Sequence, residues 1–150
     1  DPRRHPRSVP QPGLRHHLLA PTGQPLTLLG VLIGTVIQHD LDSATLHNLT
    51  GEIYGEPIRL VDHDGPTLAT GDSFIADEAT RARLAKDASL VDMEGYALAT
   101  AAHRAGVSLR IVKHVSDDAG DGAARTWQES VADCARALAH WAACHLPSYA

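Results

Sequence analysis

The pattern of hydrophobic and polar residues predicts a chain in which strands and helices alternate. Residues 26–38 are apolar and β-branched, which predicts one buried strand, or two strands joined near Gly30 or Gly34. Residues 39–65 are polar and rich in loop-forming residues, with a possible strand around Ile58–Val61. The first half of the domain is therefore predicted to be mostly strand and loop.

The elements that follow have clearer boundaries. A short strand is predicted over Thr67–Thr70, and Asp77 is a suitable cap for a helix over Glu78–Lys86. A last helix is predicted from about Arg125 to His145. Its apolar residues recur at spacings of three and four, which favours one stripe packed on the sheet. The stripe consists of Trp127, Val131, Cys134, Leu138 and Trp141.

Residues 89–118 form the most informative stretch, since they read as strand, helix and strand with an acid at each end. The helix is predicted to stop near Gly106 and the second strand to end at Val115. If the two strands are parallel, Glu94 follows the end of the first and Asp117 the end of the second. Ligands of open α/β sheets bind at that edge. Two carboxylates there suggest acid–base chemistry or the binding of hydroxyl groups.

Residues 1–25 differ from the rest because they are rich in Pro, Arg and His. We expect them to be disordered or loosely attached, with residues 26–150 forming the domain. The sequence does not begin with Met, which suggests the hypothesis of a misread or truncated coding start.

Composition excludes several classes of function. The chain has 150 residues, of which 43% are hydrophobic and 21% charged, as in an ordinary single soluble domain. Its net charge of −5 argues against a nucleic-acid partner, because such binding needs a basic surface. No apolar run approaches the roughly 20 residues that span a bilayer, so no membrane partner is expected.

The two cysteines, Cys134 and Cys144, are both predicted on the last helix. Ten residues of helix rise about 15 Å, which is too far for a disulfide within that helix. We expect both thiols to be buried, reduced and structural, and the protein to be cytoplasmic.

Histidine and aspartate cluster in residues 39–42 and again at residues 63–64, which invites a metal interpretation. Adjacent side chains of an extended chain point in different directions, however, and no second spaced cluster accompanies them. A solvated loop is the better interpretation, and we expect no metal site.

Three motifs in order carry a family resemblance: Thr70–Phe74 at a strand end, Val91–Gly95 opening a helix, and Ile111–Asp117 delivering Ser-Asp to a loop. Together they resemble the nucleoside phosphorylase/nucleosidase superfamily, and most closely its methylthioadenosine/S-adenosylhomocysteine nucleosidases. The similarity extends back to residues 34–40 and so covers about the last three-quarters of the chain. It implies an α/β fold, a three-layer α/β/α sandwich with a mixed central sheet, incomplete at its N-terminus.

The resemblance implies a role for six residues. Asp117 would protonate N7 of adenine, because a purine leaves well only as a neutral base, and Ser116 would position Asp117. Glu94 would accept hydrogen bonds from the ribose hydroxyls. Met93 would pack beneath the ribose, Phe74 would stack on the purine, and the backbone at Ile75 would read the purine edge.

Each role has a simpler structural alternative. Asp117 could be an ordinary turn residue, as could Asp118 beside it. Glu94 could be an acid in the first turn of a helix, where the helix dipole favours it. Phe74 could belong to the core. Lys113 stands where the family commonly has an arginine before its Ser-Asp. Lysine keeps the positive charge but lacks the planar, forked guanidinium group of arginine.

The expected function is a purine nucleosidase that hydrolyses 5′-methylthioadenosine or S-adenosylhomocysteine without a cofactor and releases adenine. A homodimer is the expectation from the family. The family's first portion, which supplies a glycine-rich turn and the acid that activates water, has no counterpart here. A phosphorolytic relative and a catalytically incompetent nucleoside-binding remnant therefore remain as alternatives.

Overall fold

The computed structural model describes residues 31–60 and 65–147. The predictions for residues 1–30 and 61–64 lie outside this part of the chain. Within it, the secondary structure consists of six short strands and four helices. They are β1 (Val31–Leu32), β2 (Thr35–Gln38), α1 (Ser43–Thr50), β3 (Ile58–Arg59), β4 (Thr67–Thr70), α2 (Glu78–Leu84), β5 (Leu90–Asp92), α3 (Gly95–Ala105), β6 (Val112–Lys113) and α4 (Ala123–His145).

Four of the strands form a mixed sheet in the order β3-β2-β4-β5. β3 runs antiparallel to β2, whereas β2, β4 and β5 are parallel neighbours. β1 pairs with β6 in a separate antiparallel ladder, in which Val31 lies opposite Lys113. The predicted mixed sheet is confirmed. The parallel arrangement considered for the strands around α3 is not found as a pairing, because β5 and β6 belong to different ladders.

The break between β1 and β2 falls at Gly34, one of the two predicted positions. The backbone of Gly65 lies so close that a Cβ atom on Gly34 would be 2.7 Å from it. Gly34 also donates to the carbonyl of Pro66 at 3.1 Å and accepts from the amide of Leu60 at 2.8 Å. Only two residues without side chains can pass each other at this distance.

Helices cover both faces of the sheet, as β5 shows. Consecutive strand residues point to opposite faces, and Leu90 packs in one cluster with Ala99 of α3 while Val91 packs in another with Leu84 of α2. The first cluster contains the largest fully buried side chains, which are Val31, Ile33, Val36 and Leu68. The predicted α/β fold, with helices on both sides of a mixed sheet, is confirmed.

The prediction that residues 39–65 are mostly loop missed α1. Asp42 caps this helix by accepting from the hydroxyl and the amide of Thr45, at 2.7 and 3.0 Å, and these bonds lower the pKa of Asp42. Gly51 ends the helix with a φ of 77°. None of the residues of α1 is buried. The sequence therefore lacks an apolar periodicity there, and only the cap and the glycine mark the helix.

Two other helices have a terminus at the predicted residue. Asp77 caps α2 by accepting from the amide of Thr80 at 2.7 Å, and the helix ends at Leu84, two residues before the predicted end. Gly106, with a φ of 65°, terminates α3. β6 ends at Lys113 rather than at Val115.

Helix α4 has the predicted extent but not the predicted packing. Trp127 and Val131 are 43% and 41% exposed, and the buried residues of α4 are Ala123 and Cys134. The stripe is therefore only partly covered. Cys134 is buried as predicted, whereas the prediction for Cys144 is wrong because it is exposed; both are free thiols. No helix in the described ranges is long and apolar enough to cross a membrane.

Candidate functional site

A cavity of about 550 Å³ lies where β4, β5, β6 and α4 converge. It brings together all six residues to which the family resemblance assigned a role, from three separate parts of the chain. These residues are Phe74, Ile75, Met93, Glu94, Ser116 and Asp117. Residues 42 positions apart in sequence, such as Ile75 and Asp117, thus meet in one place.

Glu94 and Met93 reach the cavity from the junction of β5 and α3. Glu94 occupies the N-cap position of α3, but its side chain makes no capping hydrogen bond. Asp92 caps the helix instead, because its Oδ2 accepts from the amide of Gly95 at 2.9 Å. A neighbouring acid therefore takes the structural task that was the alternative for Glu94, which leaves the Glu94 carboxylate available to a ligand. Met93 is 42% exposed.

Asp117 lies in the loop after β6 with a hydrogen bond to each carboxylate oxygen. The Ser116 hydroxyl donates to Oδ2 at 2.7 Å, and the Ala119 amide donates to Oδ1 at 2.9 Å. Asp118 separately accepts from the Gly120 amide at 3.0 Å. Asp117 is thus a turn residue, as the alternative required, but it also lines the cavity. The turn fixes where its carboxylate lies.

Two helices hold this loop in place. Ser130 of α4 donates to the carbonyl of Ser116 at 2.7 Å, and the Cys134 thiol donates to the carbonyl of Val115 at 3.5 Å. At the other end of the loop, Asp121 accepts from the amide of Glu78 at α2, at 3.2 Å. The loop is consequently fastened on both sides of Asp117.

Ala119 packs the middle of the loop into the core. It is 4% exposed and contacts Ile75 and Leu84 in the second hydrophobic cluster. Its φ is 57°, in the left-handed region that residues with a side chain seldom adopt. Ala119 therefore combines a buried methyl group with a strained backbone, two residues after Asp117.

Phe74 and Ile75 follow β4 and differ in burial. Phe74 is 47% exposed at the cavity, so it is not the core residue that the structural alternative proposed. Ile75 is buried at 7% exposure. Its packing fixes the backbone that the family resemblance assigns to the purine edge.

Asp92 and Trp127 also line the cavity, and sequence reasoning gave neither a role there. Asp92 reads as an ordinary strand residue, yet it accepts from the Thr70 hydroxyl at 2.6 Å and pairs with Lys113 at 2.6 Å. Trp127 was assigned to the packed stripe of α4, but it lines the cavity. On a helix, residues that line a cavity and residues that pack in the core recur at the same spacing. The apolar spacing of α4 therefore could not show that Trp127 lines the cavity.

The acids of the His39 region have structural partners. Asp40 accepts from the amide of Asp72 at 2.5 Å, and Asp42 caps α1. The His39 ring packs against Gly71, where an added Cβ would be 2.3 Å from Nε2. No group of three or more possible metal ligands occurs among the residues that the structure describes. The predicted solvated loop is replaced in part by α1.

The sequence matches the profile of the phosphorylase superfamily over residues 31–144. This range is more than half of the chain, and the protein belongs to the phosphorylase superfamily. The superfamily resemblance drawn from the three motifs is thereby confirmed. None of the curated proteins matches the sequence significantly.

Several solved structures have the same fold. A mutant of futalosine hydrolase from Helicobacter pylori strain 26695 superposes with a TM-score of 0.63 at 18% identity, covering 77% of this chain and 59% of that one. The 5′-methylthioadenosine/S-adenosylhomocysteine nucleosidase of Streptococcus pneumoniae, solved with the transition-state inhibitor MT-ImmA, has a TM-score of 0.63 at 20% identity. That alignment covers 79% of this chain and 61% of that one.

A third similar structure is the S-adenosylhomocysteine nucleosidase of Streptococcus pyogenes in complex with 5-methylthiotubericidin. Its TM-score is 0.58 at 25% identity, over 75% of this chain and 58% of that one. The present chain therefore spans about three-fifths of the length of these proteins. Both nucleosidase structures contain a small-molecule ligand.

Proposed function

We propose that the protein is a purine nucleosidase that hydrolyses the N-glycosidic bond of 5′-methylthioadenosine or S-adenosylhomocysteine and releases adenine. The observation that carries this proposal is the shared cavity of Glu94 and Asp117. These two carboxylates come from different elements and lie on one hollow with Phe74. The similar structures of nucleosidases support the same class of reaction.

In the proposed reaction Asp117 donates a proton to N7 of adenine as the bond to the sugar breaks. The bonds that Asp117 receives from Ser116 and Ala119 hold its carboxyl group in one orientation. This orientation matters because a proton donor must lie within hydrogen-bond reach of the atom that it protonates. Adenine then departs neutral, and a water molecule adds to the anomeric carbon of the sugar and releases a proton, which completes the hydrolysis.

The sugar is assigned to Glu94 and Met93. The Glu94 carboxylate would accept hydrogen bonds from two ribose hydroxyls and stabilise the positive charge that develops on the ring. The exposed thioether of Met93 offers a soft, polarisable surface to the apolar face of the ribose. Phe74 would stack on the purine.

The test is adenine release by the wild-type chain and by Asp117→Asn. The substitution removes the proton donor but preserves the size of the side chain, and we expect a loss of roughly 10²–10⁴-fold. Asp118→Asn is the matched control, because its amide oxygen can still accept from Gly120. Adenine release by Asp117→Asn at the wild-type rate would show that Asp117 is not the acid.

Phosphorolysis is the second candidate, and the family to which the chain belongs favours it. The two reactions differ in the attacking group, which is water or inorganic phosphate. Adenine release should be independent of phosphate for a nucleosidase. An absolute requirement for phosphate, with ribose 1-phosphate-type products, would replace hydrolysis by phosphorolysis.

An inactive remnant is distinguished by binding. Titration calorimetry with a nonhydrolysable adenine nucleoside analogue measures whether the cavity accepts a nucleoside at all. Binding without turnover would identify a nucleoside-binding protein, whereas the absence of both would reject the proposed function. Light scattering on the same sample tests the homodimer expected from the family.

A further inference from the structure

The carboxylate of Asp92 joins three secondary-structure elements beside the cavity. Its Oδ1 accepts from the Thr70 hydroxyl of β4 at 2.6 Å. Its Oδ2 accepts from the Gly95 amide of α3 at 2.9 Å and lies 2.6 Å from the Lys113 ammonium of β6. The Asp92 side chain is 7% exposed and that of Lys113 is 28% exposed. The ion pair is therefore largely withdrawn from water.

This ion pair links strands that are not hydrogen-bonded to each other. β5 is an outer strand of the four-stranded sheet, and β6 pairs with β1. Asp92 stands two residues before Glu94, and Lys113 stands four residues before Asp117. The pair therefore connects, by a single contact, the segments that present the two carboxylates of the proposed reaction.

We infer that Asp92 and Lys113 are positioning residues, and that their ion pair sets the separation between the Glu94 and Asp117 carboxylates across the cavity. The inference rests on the proposed nucleosidase function and assigns to neither residue a contact with the reacting atoms. Breaking the pair moves one carboxylate relative to the other. A displacement of about 1 Å in an active site can cost on the order of 100-fold in rate.

A purely structural role makes a different prediction. Removing one member of a buried ion pair leaves an uncompensated charge and destabilises the fold, whereas removing both charges is often neutral. Stability and positioning should therefore separate in a double variant. Asn at position 92 keeps an oxygen that can accept from the Gly95 amide, so the α3 cap is retained.

The experiment compares the full chain with Lys113→Met, Asp92→Asn/Lys113→Met and Lys113→Arg. Thermal unfolding reports the fold, and kcat and KM for adenine release from 5′-methylthioadenosine report the site. Lys86→Met is the control, because Lys86 is the other lysine of the chain and is exposed.

We expect Lys113→Met to lower the unfolding midpoint and to reduce kcat by about 100-fold, with a smaller change in KM. The double variant should regain most of the midpoint but keep the low kcat. Lys113→Arg should retain most of the unfolding midpoint and most of kcat, since arginine keeps a cation beside Asp92. If Lys113→Met does not fold, the double variant alone carries the comparison.

Recovery of kcat together with the midpoint in the double variant would overturn the inference and leave the nucleosidase proposal intact. An unchanged kcat in Lys113→Met would do the same. A wild-type chain that neither binds the nucleoside analogue nor releases adenine would overturn both proposals. The two failures are therefore distinguishable by the behaviour of the wild type.

Discussion

The hydroxyl of Ser130 donates a hydrogen bond of 2.7 Å to the carbonyl oxygen of Ser116, the residue immediately before Asp117. The contact connects the second turn of a 23-residue helix to the loop that presents the proposed acid. It explains how α4 can contribute to the site although much of its apolar stripe is exposed. The helix holds the loop in position through this hydrogen bond, and it buries only Ala123 and Cys134.

Replacing Ser130 by Ala should therefore reduce adenine release and cause a modest loss of stability. The change removes one hydrogen bond, worth about 1 kcal/mol, and allows the Ser116–Asp117 segment to move. Steady-state kinetics should show roughly a fivefold loss of kcat/KM. Thr126→Ala is a suitable control, because the Thr126 hydroxyl donates to Gly122 within the same exposed helix end. Equal losses in the two variants would argue against a role for Ser130 in holding the loop.

Phe74 should contribute to ligand binding more than to folding. It is 47% exposed at the cavity, so Phe74→Ala removes little buried surface. Loss of a stacked aromatic ring should weaken binding of an adenine nucleoside analogue by about 1–3 kcal/mol, measured by calorimetry. The exposed Leu49 of α1 offers the control Leu49→Ala. If both variants bind as tightly as the wild type, the purine does not stack on Phe74.

A side chain at Gly95 should destabilise the fold. A Cβ there would lie 2.6 Å from Leu68 Cδ2, 3.0 Å from Asp92 Oδ2 and 3.1 Å from Thr70 Oγ1. Gly95→Ala should destabilise the fold by about 1–3 kcal/mol through overpacking, measured by denaturant unfolding. Gly122→Ala should change stability by less than about 0.5 kcal/mol, because a Cβ at Gly122 meets no atom within 4 Å. A neutral Gly95→Ala would mean that β5 and α3 are packed less tightly than the structure describes.

Asp77 should give the protein a stability that depends on pH. Bonds from the amide and then the hydroxyl of Thr80 lower the pKa of Asp77 below its ordinary 3.8. A carboxyl whose pKa is lower in the folded state contributes stability above the pKa of the unfolded state, and that contribution is lost as the pH falls through the folded value.

Asp77→Ala should consequently lower the unfolding midpoint at pH 7, and the difference from the wild type should shrink as the pH falls below about 4. Thermal unfolding of both proteins between pH 7 and pH 3 measures this difference in midpoint. The exposed Asp87 after α2 provides the control Asp87→Ala. A difference that persists unchanged to pH 3 would show that the charge of Asp77 does not cap the helix.

Local signals account for the parts of the fold that were predicted correctly. Thr67–Thr70 is a short run with two β-branched threonines before a glycine, and Asp77 and Gly106 mark helix ends by caps that act within a few residues. Glu94 and Asp117 were found because each follows the end of a predicted strand, whereas the resemblance to the superfamily supplied the other four cavity residues. These features depend on neighbours in sequence and can be read from it.

Long-range relationships were not predictable in the same way. The pairing of β6 with β1 joins Lys113 to Val31, and no local pattern specifies a partner 82 residues away. The network around Asp92 likewise depends on the registers of β4 and β5, which place Thr70 opposite Asp92. A single acid in a strand gives no indication of which groups it will meet. Its structural importance became visible only with its partners.

The left-handed backbone of Ala119 restricts what this position can hold. Glycine would relieve the torsional strain but would leave a hole beside Ile75 and Leu84, and anything larger would have both an unfavourable φ and no space. Position 119 is consequently a place where variation among functioning homologues should be confined to the two smallest amino acids. A homologue with a bulky residue at this position should not hold its counterpart of Asp117 in the same geometry.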